Sequence, residues 1–263
     1  MAQTMKEREE GNVSNAQMLK EVELVTAVEQ YASFDVWAKP LENLDLYIPA
    51  WSDSRKDASM MDHLRTAWNT QTNWFKNMIS MYRIAKQDGF PDVSVRSALS
   101  PQVFRVQTTP WLAPFCQTAM GTYMELQKAI ALGDEKTIKK LSIGAHHKRL
   151  IDLVRARDPA KIYAWSSDAP AQNNAKVVSI RAFEQNMSRE PPKYGNRLTV
   201  QALVRFDTLQ KLDVYSKHGR PLLSPEPKRV VEYLIFQKRM WYDVPWVVRD
   251  QLYEGLQGTV KHL

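Results

Sequence analysis

NRLTVQALVRFDTLQKLDVYSKHGRPLLSPEPKRVVEYLIFQKRMWYDVPWVVRD, residues 196–250, is the stretch on which the fold turns. The apolar Leu198, Val200, Ala202, Val204 and Phe206 occupy every second position, with Thr199, Gln201 and Arg205 among the residues between them. A period of two sends alternate side chains to opposite faces of a strand, one toward a core and one toward solvent. A second run, 211–216, leads into Lys217-His218-Gly219-Arg220, where the glycine supplies positive φ for a reversal. Residues 230–241 are dense in β-branched and aromatic side chains, which suit a strand. Residues 244–249, with Pro245 near their start, read as an edge strand. About four consecutive antiparallel strands make a meander, and its apolar face requires a cover.

The cover lies upstream. Residues 111–132 read as a helix with Phe115, Met120, Tyr123, Leu126 and Ile130 along one side and Gly133 as its C-terminal cap. A short helix over 134–141 and another over 142–157 follow, and Asp158-Pro159 stops the second. Two further strands, 161–165 and 175–187, and a turn carrying Pro191-Pro192 lead into the central stretch. Residues 59–86 form the clearest helix, opened by Ser59 and Asp62 in a capping-box arrangement. In it Met60, Leu64, Ala67, Trp74, Met78, Met81 and Ala85 recur at helical intervals, reinforced by Met61, Trp68, Phe75 and Tyr82. Such a stripe is expected to meet protein. The other reading lays it in a membrane interface, with Trp68, Trp74, Phe75 and Met78 facing lipid and Lys76, Arg83 and Lys86 facing headgroups. Asn69, Thr70, Asn73, Asn77 and Ser80 make up its polar side.

Around these elements the chain divides into an extended, partly disordered arm (1–58), the amphipathic helix with a proline-bearing connector (59–110), an α+β domain (111–250) and a tail (251–263). Within the arm, 1–15 is polar and acidic, unlike an Arg-rich presequence or a secretory signal. Met18, Val22, Val25 and Val28 suit a short helix, and 34–51, with Pro40 and Pro49, suits an extended segment laid over the domain or a partner. In the connector, 103–106 has the makings of a brief strand. The order of helices followed by antiparallel strands gives an α+β fold, N-terminal helices on one face of a curved antiparallel sheet of about four strands.

A hydrophobic content of 44% and a charged content of 25% are those of a folded globular chain. No apolar run approaches the ~20 residues that a spanning helix needs. The one cysteine, Cys116, builds neither an intrachain disulfide nor a zinc site. Charge is unevenly spread: residues 1–60 hold six basic against eleven acidic side chains, so the net +7 of the whole chain arises from +12 on residues 61–263. A basic body attracts phosphates of nucleic acid or of anionic lipid. Two clusters carry it. Lys136, Lys139, Lys140, Lys148, Arg149, Arg155, Arg157 and Lys161 fall within 28 residues, and Lys217, Arg220, Lys228, Arg229, Lys238 and Arg239 form a second set on the strand side. Structured RNA is held largely through shape and phosphate contacts, which such residues can supply, and anionic lipid draws on the same charge. Solvated helix and turn faces carry Lys and Arg as well.

Candidates for chemistry are few. His146 and His147 lie about 100° apart around a helix and do not form the i, i+4 pair of a metal site. Neither GxxxxGK[ST] nor GxGxxG occurs. Cys116 reads as a small buried apolar residue; Asp152, Tyr163 and His147 are the side chains that could line a cavity, although a histidine on a helix face is more often a hydrogen-bonded core or rim residue. No metal, cofactor, catalytic residue or small-molecule substrate is expected.

LDVYSKHGRPLL (212–223), VVEYLIFQKRMW (230–241) and PWVVRD (245–250) resemble the end of the mitochondrial import-motor-scaffold-like domain. The VYxxxGRxL turn, the VxEYxxFxK strand and the closing tryptophan carry the likeness, which runs over about 111–250. Within that superfamily the chain is most similar to mitochondrial large-ribosomal-subunit proteins and their fungal counterpart, an inner-membrane receptor for the mitochondrial ribosome. The resemblance implies a cystatin-like or nuclear-transport-factor-two-like cone, a place in the mitochondrial matrix peripheral to the inner membrane, and contact with ribosomal RNA near the polypeptide exit. Neighbouring large-subunit proteins and the inner membrane or its insertion machinery are the implied partners. The alternatives are an import-motor scaffold at the inner-membrane translocase, or a small-molecule enzyme using the cone.

Overall fold

A computed structural model describes residues 43–48, 59–87, 89–90, 112–167 and 174–253, with positions 20 and 23. The expectations for 1–15, for the helix around Met18–Val28, for the strand at 103–106 and for most of the tail lie outside the described residues. In chain order the elements are α1 (Met60–Lys86), α2 (Ala113–Leu132), α3 (Glu135–Leu141), α4 (Gly144–Arg155), β1 (Lys161–Ser167), β2 (Ala175–Glu184), β3 (Leu198–Ser216), β4 (Pro221–Leu223), β5 (Lys228–Arg239) and β6 (Val247–Leu252). The fold is α+β, with one antiparallel sheet.

β3 is its spine. The alternation at 198–206 and the run at 211–216, read separately in the sequence, belong to one strand of 19 residues. One side of it pairs with β2 (Leu198–Phe206) and then β1 (Gln210–Ser216), placed end to end. The other side pairs with β5 (Thr199–Gln210) and then β4 (Val214 and Tyr215). With β6 beyond β5, six strands make a sheet four ribbons wide. The strand crosses its polar middle because each polar side chain there has a partner. Asp207 holds Arg205 and Arg229, Thr208 is buried, and Gln210 donates to the Tyr123 hydroxyl at 2.5 Å.

Leu198, Val200, Ala202, Val204 and Phe206 face α2, whose Phe115, Ala119, Tyr123 and Leu126 complete the main core. Tyr123 stacks on Phe206 with ring centroids 4.3 Å apart, and Phe115 joins Phe90, Trp246 and Phe236. Gly133, at φ 74°, caps α2 as its sequence implies. Gly195 has a different task. It sits at φ 57°, and a Cβ there would come within 1.8 Å of the Met240 carbonyl oxygen, so only glycine fits. On the opposite face the segment 43–48, the described part of the 34–51 stretch read as extended, lies over the sheet. Its Leu46 and Ile48 pack with Val178, Leu203, Tyr233, Ile235 and Leu252.

α1 inverts the sequence expectation. Only the end of its apolar stripe, Met81 and Ala85, reaches the core, together with Ile84, while Met60, Met61, Leu64, Trp68, Trp74 and Phe75 are exposed and Met78 is half-buried. The buried surface is the polar one: Asn73, Asn77 and Ser80. β2 is an edge strand with a bulge at Val178, and its unpaired backbone groups need partners. A carboxamide offers a donor and an acceptor, as a peptide group does. Asn73 and Asn77 donate to the Val178 carbonyl at 3.5 and 3.4 Å, and Asn77 accepts from the Ile180 N–H at 2.9 Å. Both asparagines also accept from the Arg181 guanidinium, at 2.9 and 2.8 Å. α1 therefore closes the sheet edge with its amides and leaves its aromatics outward.

Candidate nucleic-acid and membrane interface

Asp134 starts α3 by accepting from the backbone N–H groups of Lys136 and Thr137, at 3.1 and 3.3 Å. Ile138 and Leu141 then turn into the core, which leaves Lys136, Lys139 and Lys140 exposed. Lys139 and Lys140 also sit at the negative end of the helix dipole. Lys148 stands exposed on α4. None of these four lysines forms an ion pair among the described residues.

The arginines of the same sequence cluster are tied inward. Arg155 makes a bidentate pair with Glu135, both contacts at 2.8 Å, and so fastens α4 to α3. Arg149 pairs with Asp250 on β6. Arg157 donates to the Ile130 and Ala131 carbonyls at 2.6 and 3.2 Å, closing the C-terminus of α2, and lies 4.8 Å over the Tyr163 ring. Burial works against the Asp250 carboxylate, yet the hydrogen bonds from Asn43 and the Gln251 N–H and the charge of Arg149 hold its pKa below the ordinary value.

The strand-side set splits in two. Lys217 and Arg220 occupy the β3–β4 turn beside the α4–β1 connection, where the Lys217 N–H bonds the Ala160 carbonyl at 3.2 Å and Lys161 pairs with Asp158. Lys228 is exposed at the start of β5, and Arg229 next to it is bidentate to Asp207. Lys238 and Arg239 lie at the other end of β5, roughly 35 Å away at about 3.4 Å per residue. There Lys140 joins them. These three with Arg249 line a half-open groove of about 500 Å³, walled by Ile143, Tyr242, Val244, Pro245 and Val247. Sequence reading missed Arg249 and Tyr242. Their signal was the interleaving of basic and aromatic residues in KRMWYDVPWVVR.

The chemical candidates fall elsewhere. Burial pushes the Cys116 thiol up to about 11, so it is protonated at neutral pH. The Ser142 hydroxyl lies 3.0 Å from His147 Nδ1, but it donates to the Ile138 carbonyl and is buried. Asp152 is exposed and Tyr163 holds Arg157. Among the described residues no three His, Cys, Asp or Glu side chains gather as metal ligands.

His146 is buried, and its pKa is lowered to about 4, first by burial and then by the charge of Arg149. In the unfolded chain it titrates near 6.5. Both forms are neutral above that value, so its stability contribution is complete there. As pH falls from 6.5 toward 4 the unfolded chain takes up the proton first and stability drops, by about 2 kcal/mol between pH 7 and pH 5. Denaturant titrations over that window should show the loss, and a His146→Gln variant should lack it.

No family model matches the sequence. The chain is 36% identical over 188 residues to the large ribosomal subunit protein mL45 of Caenorhabditis elegans. The match takes in 67% of this chain and 44% of that protein, so the chain spans less than half the length of the relative. Among solved structures, the intermembrane-space region of the chloroplast protein ARC6 is similar at 10% identity and a TM-score of 0.33, over 52% of this chain and 93% of that one. So loose a superposition carries no argument. The relationship to mL45 agrees with the resemblance carried by 212–223, 230–241 and 245–250, and by it the chain belongs to the family of the mitochondrial large-ribosomal-subunit protein mL45.

Proposed function

We propose that the chain is a non-catalytic docking component of the mitochondrial large ribosomal subunit, which holds ribosomal RNA near the polypeptide exit and rests against the inner membrane from the matrix side. The observation that carries this is the 188-residue relationship to mL45. Lys136, Lys139, Lys140 and Lys148 supply phosphate contacts from one side of the body, and Lys217, Arg220 and Lys228 supply them from the far end of the sheet. Arg149, Arg155, Arg157 and Arg229 hold the elements that present these lysines and add to the local positive field. On α1 the outward Trp68, Trp74 and Phe75, with Met78 at their border, supply a shallow apolar contact with lipid, and Arg83 and Lys86 meet headgroups. No helix among the described residues is long and apolar enough to cross a membrane, and a peripheral contact does not require one. We read the bulged sheet as the cone of the scaffold-like domain, spanning 111–250, with 1–58 as an arm along neighbouring proteins.

Sedimentation of mitochondrial lysate tests this. The chain should travel with large subunits and stay there at moderate salt. A Lys136→Glu/Lys139→Glu/Lys148→Glu variant should leave them at lower salt, because each lost phosphate contact weakens binding and flattens its salt dependence. Trp68→Ser/Trp74→Ser/Phe75→Ser should still sediment with the subunit but lose its binding to anionic vesicles. Recovery of the unaltered chain in light fractions at every salt concentration contradicts the reading, and recovery with the protein translocase supports a scaffold role instead.

A further inference from the structure

We infer that the groove between the α3–α4 junction and the β5–β6 turn holds one unstacked nucleotide of single-stranded RNA. The proposal rests on the reading of the chain as an RNA-bound ribosomal protein and gives that reading a specific site. A groove of about 500 Å³ lies within the range of roughly 300–1,000 Å³ that encloses small ligands. Its lining is of two kinds. Lys140 and Lys238 enter it from separate elements, and neither forms an ion pair among the described residues, so both remain available to phosphate oxygens. Arg249, bonded to Asn43 at 2.8 Å and Gln237 at 3.1 Å, contributes fixed positive charge rather than a free fork. Among the described residues no carboxylate lines the groove, Asp243 in the same turn included.

Tyr242, Val244 and Pro245, all exposed, give the groove an apolar and aromatic part. The Tyr242 ring is backed by the buried Trp241, with centroids 5.7 Å apart. A bare phosphate or a carboxylate side chain has no use for an aromatic wall beside its cations. A nucleotide uses both, since its base stacks on the ring while the flanking phosphates meet the lysines. Gly144, the first residue of α4, also lines the groove, and its neighbour Ile143 supplies no side-chain cap to that helix. The positive end of the helix dipole thus adds to the cationic side without being the site itself.

Fluorescence anisotropy on the purified full chain tests the inference, with a labelled single-stranded RNA octamer, the same octamer with abasic sugars, an RNA duplex of equal length and a labelled polyglutamate octamer. Tyr242→Ser should weaken binding of the single strand about tenfold, within the span typical of one base–aromatic stack. It should leave the duplex and the abasic strand unchanged. Lys238→Glu should weaken all three nucleic acids. Tyr242 is exposed, so the variant should retain the thermal midpoint of the parent. Equal binding of single strand and abasic strand by the unaltered chain overturns the inference, as does a Tyr242→Ser variant that binds the single strand like the parent. Displacement of the single strand by polyglutamate at matched concentration also overturns it and assigns the groove to an acidic peptide. Where one of these overturning results comes together with salt-dependent duplex binding that depends on Lys136, Lys139 and Lys148, the groove alone is refuted. If no RNA binds at all, the broader reading fails with it.

Discussion

Replacing Asn77 by leucine is expected to destabilise the protein by about 3–5 kcal/mol, although the new side chain is apolar, similar in size and well suited to a helix. Asn77 accepts at once from the Ile180 N–H and from Arg181, and donates to the Val178 carbonyl. Leucine leaves the Ile180 N–H without its partner in a dry place, and it strips one hydrogen bond each from the Val178 carbonyl and the Arg181 guanidinium, which keep only those of Asn73 and the Ile180 carbonyl. The guanidinium is the costly one. Arg181 is only 9% exposed, and burial has already lowered its pKa to about 10, with Asp45 acting in the other direction. By contrast Trp68→Ser, on the outward side of α1 at 74% exposure, should change stability by no more than about 0.5 kcal/mol. Urea midpoints of the two variants decide the matter. A tolerated Asn77→Leu beside an unfolded Trp68→Ser means that α1 sits the other way round.

Phe115→Ala is expected to cost a similar amount, about 3–5 kcal/mol, for an unrelated reason. Phe115 is fully buried where four parts of the chain converge. Its ring lies 4.8 Å from Phe90, which follows α1, 4.7 Å from Trp246 in the β5–β6 turn and 6.4 Å from Phe236 on β5. Truncation opens a cavity that none of these rings can fill without leaving its other contacts. Small domains have about 5–15 kcal/mol to lose, so the loss is a large share of the total. Isothermal denaturation measures it, and a cost below about 1 kcal/mol implies that α2 does not pack on the sheet as described.

Much of this was written in the periodicity. Alternation at 198–206 announced β3 because one face of that strand meets α2 and the other a second, smaller core. The strand's continuation to Ser216 was hidden, since Asp207, Thr208 and Gln210 look like a break until their partners on other elements are known. For α1 the pattern showed two stripes but not which one faces inward. Apolarity favoured the tryptophans, whereas the open backbone of β2 favours the amides, and that edge is visible only after the sheet is assembled. Sequence distance also misled about charge. Lys238 and Lys228 are only ten positions apart in the chain yet stand at opposite ends of β5, while Lys140 comes from 98 positions away to share a groove with Lys238. Arginine-rich runs exaggerate a polyanion site, because arginine serves equally well as an internal fork, as Arg155 and Arg157 do.

An electron-microscopy map of large ribosomal subunits purified with this chain bound tests the central claim most directly. The account predicts density for the chain at the exit side, with Lys136, Lys139 and Lys148 within about 4 Å of phosphate oxygens and the Trp68–Phe75 side of α1 turned away from the particle. Density with the lysines in solvent and the α1 aromatics buried against ribosomal protein contradicts it.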